Sequence, residues 1–583
     1  MSGMEGGEVV PVESEVPAEV FDVVVYGTGI VESLLACALS QCGCRVLTLD
    51  RYADYGGRRT NMRWDEFSRL AREQVFPAPN DQEPVSSDSA AEEGWFGSTS
   101  DDELIILDTF LADTLSSPPD TADTTANSCS NTNLNMLADY RKFNLELNSK
   151  LLYSSGEMLD VLLNSGVYRY LEFVSLESIF FVSNGPLAEI PFSKGEVFQS
   201  KDLSMVEKRT IMKFLQFAGD FGRHQAGKDN RTLNEHDLTL ERQLHRPQNK
   251  KDFESYGYDI NSYLHRPFTE FLQHCKMTPL LKNIIMYSLS LQIHENALTE
   301  ETLKDLYLHI DSLGRYGSTA FLYPHYGLSE LNQAFARMSA VWGCTQMLRT
   351  SIQNMKIHPE LVEMRLTNSE HVSCRHLVAS SSKWRHVEKP SAFVVTRTTI
   401  CSRPLLPVKI SGSSLLVLPP GSPGIGNEQS VFLVQHGPSS NTVPAATYVV
   451  RISVQFEGED PLNGAKLLNQ VFAFISRISG ECGSVVLASV TTAAPIWGAP
   501  TNFPDRVYLC SHHDDVLHYE TAVAEARAIF LCICPEKVFF ERKDDSLLDD
   551  MYRPELDTLE IALGILENKN SEGENAETQL LST

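Results

Sequence analysis

The sequence predicts an α/β fold organised around residues 21–57, and three observations near its start carry that expectation. Phe21-Asp-Val-Val-Val25 is short, β-branched and almost wholly apolar, as suits a strand buried in a parallel sheet. Gly27-Thr28-Gly29 breaks it with a tight turn, and Ile30 to Gln41 follows with Ile30, Leu34, Leu35, Ala38 and Leu39 at helical spacing. A second strand, Arg45 to Asp50, ends in a carboxylate about 20 residues past the glycines. Strand, glycine turn, helix and acid-ended strand in that order are the layout of a dinucleotide-binding βαβ unit.

One residue departs from that layout. The fingerprint G-x-G-x-x-G places its third small residue at position 32, which here is Glu32. A carboxylate in the first helical turn suits the helix dipole by itself and repels the pyrophosphate that a helix N-terminus would otherwise hold. Gly27, Gly29, Glu32 and Asp50 therefore form a degenerate fingerprint, and neither flavin nor NAD is expected as a cofactor.

Composition narrows the function classes. At 583 residues the chain is expected to form two or more domains, and 42% hydrophobic residues are ordinary for a globular protein. No apolar run approaches 18 residues, so no transmembrane helix is expected. Met1 to Val16 is acidic rather than basic-then-apolar, so no signal peptide is expected, and the final Leu-Leu-Ser-Thr carries no prenylation box. Lys and Arg number 49 against 76 Asp and Glu, a net charge of −27 that argues against nucleic acid and for a basic protein surface as partner. The 12 cysteines form no C-x-x-C pair; Cys42-Gly-Cys44 and Cys532-Ile-Cys534 are too close for a metal knuckle. They read as reduced thiols of a cytosolic protein.

Along the chain, residues 76–133 are rich in Ser, Asp, Thr, Pro and Asn, with Leu104-Ile-Ile-Leu107 as their one apolar island. They read as an acidic, largely disordered insertion. Leu134 to Leu163 has helical spacing, and strand-like runs follow at 170–175 and 179–182. Leu203 to Phe217 reads as an amphipathic helix, with Leu203, Val206, Ile211, Phe214 and Leu215 on the apolar face and Glu207, Lys208 and Arg209 opposite. Further helices are expected near 262–273, 278–292, 300–313 and 329–338. Short strands fill 361–456, a helix spans 462–478, a strand 507–510 and a helix 522–532. The expected division is an acidic tail over 1–16, a discontinuous sheet domain over 17–75, 134–204 and 314–540, a helical domain over 205–313, and an acidic tail over 541–583.

These stretches together resemble a family. FDVVVYGTGIVESLLACALSQCGCRVLTLD with Tyr52 and Tyr55-Gly56-Gly57, Met205-Val-Glu-Lys-Arg209 with Lys213-Phe-Leu215, and Ser312-Leu-Gly-Arg-Tyr-Gly317 running to Gly343 are similar to the Rab GDP-dissociation inhibitors and Rab escort proteins. The matches cover most of residues 20–345. The acidic insertion, the C-terminal extension and Arg141-Lys-Phe-Asn-Leu-Glu-Leu147 ahead of Leu151-Leu-Tyr153 favour the escorts. The resemblance implies a flavoprotein-like Rossmann-type sheet domain without flavin, and a smaller helical domain that accepts the geranylgeranyl chain. It also implies a non-enzymatic role: binding GDP-bound Rab GTPases, presenting them to Rab geranylgeranyl transferase and delivering the product to membranes. Tyr55, Glu330, Arg337 and Met347 match the family's Rab-binding platform; Gln346 stands where the inhibitors carry a tyrosine, and Asn332 where a proline is usual.

Glu330 and Arg337 are seven apart, two turns on one helical face and roughly 10 Å from each other. So spaced, a carboxylate and a guanidinium can each take a charged partner across an interface. The resemblance also implies an aromatic and a basic contact to the transferase, for which Phe268, Phe271 and Lys276 are the candidates; both rings could equally pack the helical domain. His512-His513-Asp514-Asp515 are neighbours on a loop, which rarely converge on one ion, and no metal is expected. The alternatives are a recycling Rab GDP-dissociation inhibitor and, in a different class, a flavin-dependent amine oxidase-like enzyme.

Overall fold

The computed structural model describes residues 19–57, 62–72, 105–111, 140–182, 186–191, 194–228, 253–381, 392–410, 412–479, 486–496, 504–511 and 516–541. β1 (Glu19–Tyr26), α1 (Ile30–Gln41) and β2 (Val46–Leu49) form the opening βαβ unit. α2 (Trp64–Leu70), β3 (Ile105–Leu111), β4 (Leu152–Tyr153) and α3 (Glu157–Ser165) follow. Next come β5 (Phe173–Ser175), β6 (Ser178–Val182), β7 (Leu187–Glu189) and α4 (Lys194–Gln199). The helical stretch comprises α5 (Met205–Lys228), α6 (Phe268–His274), α7 (Pro279–Asn283) continuing as a π-helix over Ile284–Leu289, and α8 (Thr299–Ser312). β8 (Phe321–Pro324), α9 (Ser329–Val341) and β9 (Thr345–Met347) return the chain to the sheet.

The remaining strands are β10 (Ile352–Ile357), β11 (Val362–Leu366), β12 (His371–Ser380), β13 (Ala392–Cys401), β14 (Ser414–Leu418), β15 (Val431–His436) and β16 (Tyr448–Glu457). α10 (Leu462–Ile478), β17 (Val486–Ile496), β18 (Val507–Cys510) and α11 (Glu520–Ile533) close the described chain.

The fold is α/β. A seven-stranded sheet runs β10-β11-β12-β1-β2-β9, with β18 also pairing β12. Its centre is parallel: β1 lies between β2 and β12, β9 flanks β2, and β18 flanks β12. Buried on both faces, such strands need continuous apolar runs, and Val23, Val24 and Val25 are all at 0% exposure. An eight-stranded, mostly antiparallel sheet runs β3-β17-β13-β16-β15-β14-β6-β7, and β4-β8-β5 form a small third sheet.

α1 is buried from Val31 to Gln41, packed between the sheet, α9 and α11. Its Ala-Cys-Ala-Leu interior leaves no polar stripe, as befits a helix enclosed on all sides. In the helical stretch, a Cβ on Gly222 of α5 would run into the Tyr307 ring of α8. Glycine there sets how closely the two helices approach.

Four expectations are corrected. Ile105–Leu107 is not an island in a disordered insertion: β3 pairs antiparallel with β17, and Asp108 lies against Arg397 and Asn469. Leu134–Leu163 is not one helical run, because the described part holds a 3-10 turn at Tyr140–Lys142, β4 and only then α3. α6 begins at Phe268, later than the spacing implied. On α5, Met205 and Val206 are exposed whereas Lys208 is buried. The cause is the helix start: Ser204 N donates to Glu207 Oε2 at 3.0 Å and Glu207 N to Ser204 Oγ at 3.3 Å. That reciprocal cap fixes the register and turns positions 205 and 206 outward. Both acidic tails and the His512–Asp515 run lie outside the described residues, as does nearly all of 76–133 other than β3.

His309 on α8 is fully buried between the Tyr153 and Phe321 rings, and burial lowers its imidazole to about 3. The unfolded chain, with histidine near 6.5, takes up that proton first, so this contribution to stability is complete above ~6.5 and is lost as pH falls toward 3. Between pH 7 and pH 5 the wild type should therefore lose about 2 kcal/mol more stability than His309→Phe. Denaturant unfolding of both proteins at the two pH values measures it; equal losses would place a charged imidazole in the folded protein.

Candidate functional site

The carboxyl ends of β1 and β2, where a doubly wound sheet usually receives its ligand, carry the first group of predicted residues. Glu32 is 4% exposed in the first turn of α1, and its carboxylate folds back over Gly29, 2.5 Å from where a Cβ on that residue would stand. Thr28 Oγ1 donates to Asp50 Oδ2 at 2.6 Å, and Asp50 Oδ1 accepts from Tyr52 N at 3.0 Å. The oxygens that would take a ribose hydroxyl thus serve the protein. Gly56 N donates to Thr28 Oγ1 at 3.0 Å, and Asn332 Nδ2 to the Thr28 carbonyl at 2.6 Å. The residues do not fit a dinucleotide: the phosphate end meets a carboxylate and the ribose end is occupied by internal hydrogen bonds. Gly27, at φ 137, keeps the turn that the fingerprint requires.

The same hydrogen bonds assemble the second group. Tyr55 follows β2, and its hydroxyl donates to Gln346 Oε1 at 2.5 Å. Gln346 Nε2 donates to the Ala336 carbonyl at 2.6 Å and meets Ser339 Oγ at 2.9 Å, both on α9. Gln346 thus joins the tyrosine loop to the helix that carries Glu330 and Arg337, a bridging task its amide performs through both ends. Met347 is its neighbour on β9, pairing with Leu49 of β2 and half-buried against the strand core. Arg337 is exposed with its guanidinium 4.2 Å from the centre of the Tyr170 ring, which steadies a long side chain at the surface. Glu330 is half-buried, and burial raises its carboxyl above the ordinary range. Asn332 sits in the first turns of α9 without breaking it, its amide anchoring the helix to the turn after β1.

Sequence reading missed what holds the start of α9. Glu146, in the Arg141–Leu147 run, is 0% exposed. Its Oε1 accepts from Leu328 N at the helix start, while its Oε2 accepts from Tyr323 Oη at 2.8 Å and pairs with Arg451 at 3.3 Å. A Cβ on Gly327, at φ 105, would collide with that carboxylate. Tyr326 beside it has a left-handed φ of 67 and is 52% exposed. The glycine in Tyr326-Gly327 was the one available signal; the carboxylate it accommodates lies far away in sequence.

The third predicted group is corrected. Phe268 and Phe271 are both 0% exposed. Phe271 lies 6.0–6.1 Å from Phe214 and Phe217 of α5 and 5.7 Å from Tyr263, with Phe268 6.4 Å from Phe214. Three residues apart on a seven-residue helix, both rings turn to the one face that α5 covers. As direct contacts to a transferase they are withdrawn. Lys276 just beyond is exposed, at φ 57. Among the described residues no group of three or more His, Cys, Asp or Glu could hold a metal ion, and no helix is long and apolar enough to cross a membrane.

Phe268→Ala should lower the unfolding free energy by ~3–5 kcal/mol, the cost of a cavity in a packed aromatic cluster. A change below ~1 kcal/mol in chemical denaturation would return the ring to the surface. The purified protein should release no flavin on denaturation; a stoichiometric flavin absorbance would show that Glu32 leaves room for the pyrophosphate.

A protein-family model described as GDP dissociation inhibitor matches residues 17–82 and 126–545. The chain is 26% identical over 536 residues to the Drosophila melanogaster protein named Rab proteins geranylgeranyltransferase component A, covering 90% of this chain and 91% of that one. It is 28% identical over 486 residues to Homo sapiens Rab proteins geranylgeranyltransferase component A 1, covering 78% and 68%. Against the probable secretory pathway GDP dissociation inhibitor 1 of Schizosaccharomyces pombe it is 22% identical over 520 residues, covering 88% and 95%. Among solved structures, the Rab GDI of Plasmodium falciparum shares the fold with a TM-score of 0.62 at 17% identity, covering 89% of this chain and 99% of that one. With the family model spanning most of its length, this chain belongs to the GDP dissociation inhibitor family.

Proposed function

We propose that this protein is a Rab escort protein: a non-catalytic, cytosolic accessory component of Rab geranylgeranyl transferase. It binds GDP-bound, unprenylated Rab GTPases, presents their C-terminal cysteines for geranylgeranylation and delivers the lipidated product to membranes through a transient contact. The observation that carries the reading is the platform in which the Tyr55–Gln346 hydrogen bond locks the loop after β2 to α9, beside Glu330, Arg337 and Met347. A surface held this way offers a carboxylate, a guanidinium and an aromatic ring with little ordering cost on binding. The component A names of the most similar relatives support the escort assignment within the family.

A recycling inhibitor that extracts prenylated Rab is the second reading, favoured by the match along 95% of the fission yeast inhibitor. An amine oxidase-like enzyme is disfavoured by the Glu32 and Asp50 arrangement. Reconstitution separates the first two: unprenylated Rab, the transferase and geranylgeranyl diphosphate should yield prenylated Rab only when this protein is added. Binding of prenylated Rab without support of the transfer reaction would make it a recycling inhibitor.

Arg337→Glu should weaken Rab binding by about 2 kcal/mol or more, typical of a reversed interfacial charge. It should change fold stability by no more than ~1 kcal/mol, the worth of the exposed contact with the Tyr170 ring. Titration calorimetry and thermal melting on the same variant read both; unchanged Rab affinity would remove α9 from the interface.

A further inference from the structure

The two C-x-C pairs are the sequence feature that the proposed function leaves unused. Cys42-Gly-Cys44 forms the turn between α1 and β2, with Gly43 at φ 88, and Cys534 caps the last turn of α11. The fold brings the Sγ atoms of Cys44 and Cys534, 490 residues apart in sequence, to 3.8 Å. Cys42, Cys44 and Cys534 are half-exposed and Cys532 is exposed, so small oxidants can reach them. At 3.8 Å the sulfurs are in contact, and less than ~2 Å of approach separates them from a disulfide bond length.

What lies behind this pair gives it a consequence. Beyond Cys534 the chain turns and buries Phe539 and Phe540, with Phe540 6.1 Å from Phe335 of α9 and Phe539 5.3 Å from Phe530 of α11. Arg527 lies over the Phe539 ring at 5.7 Å. The segment 534–540 is thus a plug seated against the back of the helix that carries Glu330 and Arg337.

We propose that Cys44 and Cys534 are an oxidative modification site: a peroxide converts them to a disulfide that ties the α1–β2 turn to the end of α11 and clamps the plug behind α9. In the first step the thiolate of one cysteine attacks a peroxide oxygen, the O–O bond breaks, and a sulfenic acid and a water molecule form. In the second the other sulfur displaces the sulfenic hydroxyl as water and the S–S bond closes. The two sulfurs lose two electrons, the two peroxide oxygens gain them, and the two thiol protons leave in water. Burial, and then the neighbouring Cys534, push the Cys44 thiol up to about 12, so little thiolate is present at neutral pH and closure there is slow. Closure accelerates with pH as the thiolate fraction grows.

Full-length protein is treated with hydrogen peroxide at pH 7 and pH 8.5, alkylated, digested without reduction and mapped by mass spectrometry. The expected product is a Cys44–Cys534 peptide pair, formed several-fold faster at the higher pH and lost on treatment with dithiothreitol. Cys44→Ser and Cys534→Ser should each abolish it, whereas Cys42→Ser and Cys532→Ser should leave it. Amide hydrogen exchange over 534–540 should slow at least tenfold in the oxidised protein. Pairing of Cys42 with Cys44 or of Cys532 with Cys534, or full alkylation of both Cys44 and Cys534 after peroxide, would overturn the site. Unchanged exchange in a correctly cross-linked protein would overturn the clamp.

Discussion

The carboxylate of Glu146 is the constraint on which the start of α9 and its surroundings depend. Taking an ion pair out of water costs several kcal/mol per charge and is tolerated only where every lone pair finds a donor. Here the Tyr323 hydroxyl and the Leu328 amide donate to the carboxylate, and Arg451 Nε donates to the Glu146 carbonyl at 3.1 Å. The Arg451 guanidinium stands 3.3 Å from the carboxylate as its ion-pair partner, although burial still pushes the Glu146 carboxyl up. Each donor comes from a different element: β16, β8 and the start of α9. One buried charge therefore fixes the mutual position of the antiparallel sheet, the small sheet and the platform helix. The ring of His436 stacks on Tyr323 at 3.8 Å, and burial, with Arg451 nearby, holds its imidazole well below the ordinary range. Kept neutral, it adds no second positive charge beside Arg451.

The nucleotide-binding end of the fold has become a joint. In a dinucleotide enzyme the turn after β1 opens toward a pyrophosphate, and the acid after β2 toward a ribose. In this protein Thr28 is engaged at both its carbonyl and its hydroxyl, by Asn332, Asp50 and Gly56. Those partners belong to α9, to the end of β2 and to the loop bearing Tyr55. The bonds at Thr28 also tie the loop bearing Tyr55 and α9 to the turn after β1. Glu32 and Asn332, each a departure from an expected residue type, make structural sense as parts of one adaptation.

Much of the architecture was legible because its signals are local. α1 spans Ile30–Gln41 and α10 Leu462–Ile478, as their apolar spacing implied, and β18 occupies Val507–Cys510. What escaped depends on contacts between distant segments. β3 is a short apolar run in a polar setting, and only its pairing with β17 makes it a strand. Phe268 and Phe271 have a spacing that suits an exposed anchor and a core stripe equally; the presence of α5 decides for the core. Val206 looks apolar-facing until the Ser204–Glu207 cap sets the helix register. For the candidate site, resemblance alone singled out Tyr55, Glu330, Arg337, Gln346 and Met347 as expectations. The hydrogen bond joining Tyr55 to Gln346, and the role of Glu146, required the assembled structure.

The platform's rigidity follows from what lies beneath it. α1 has no solvent face, so α9 on one side and α11 on the other cannot shift without opening a packed helix interior. The plug of Phe539 and Phe540 closes the remaining side of α9 through Phe335. A surface backed this way has little conformational freedom left to lose. Its polar side chains are likewise partly ordered in advance: Gln346 by two bonds to α9 and one from Tyr55, Arg337 by the Tyr170 ring.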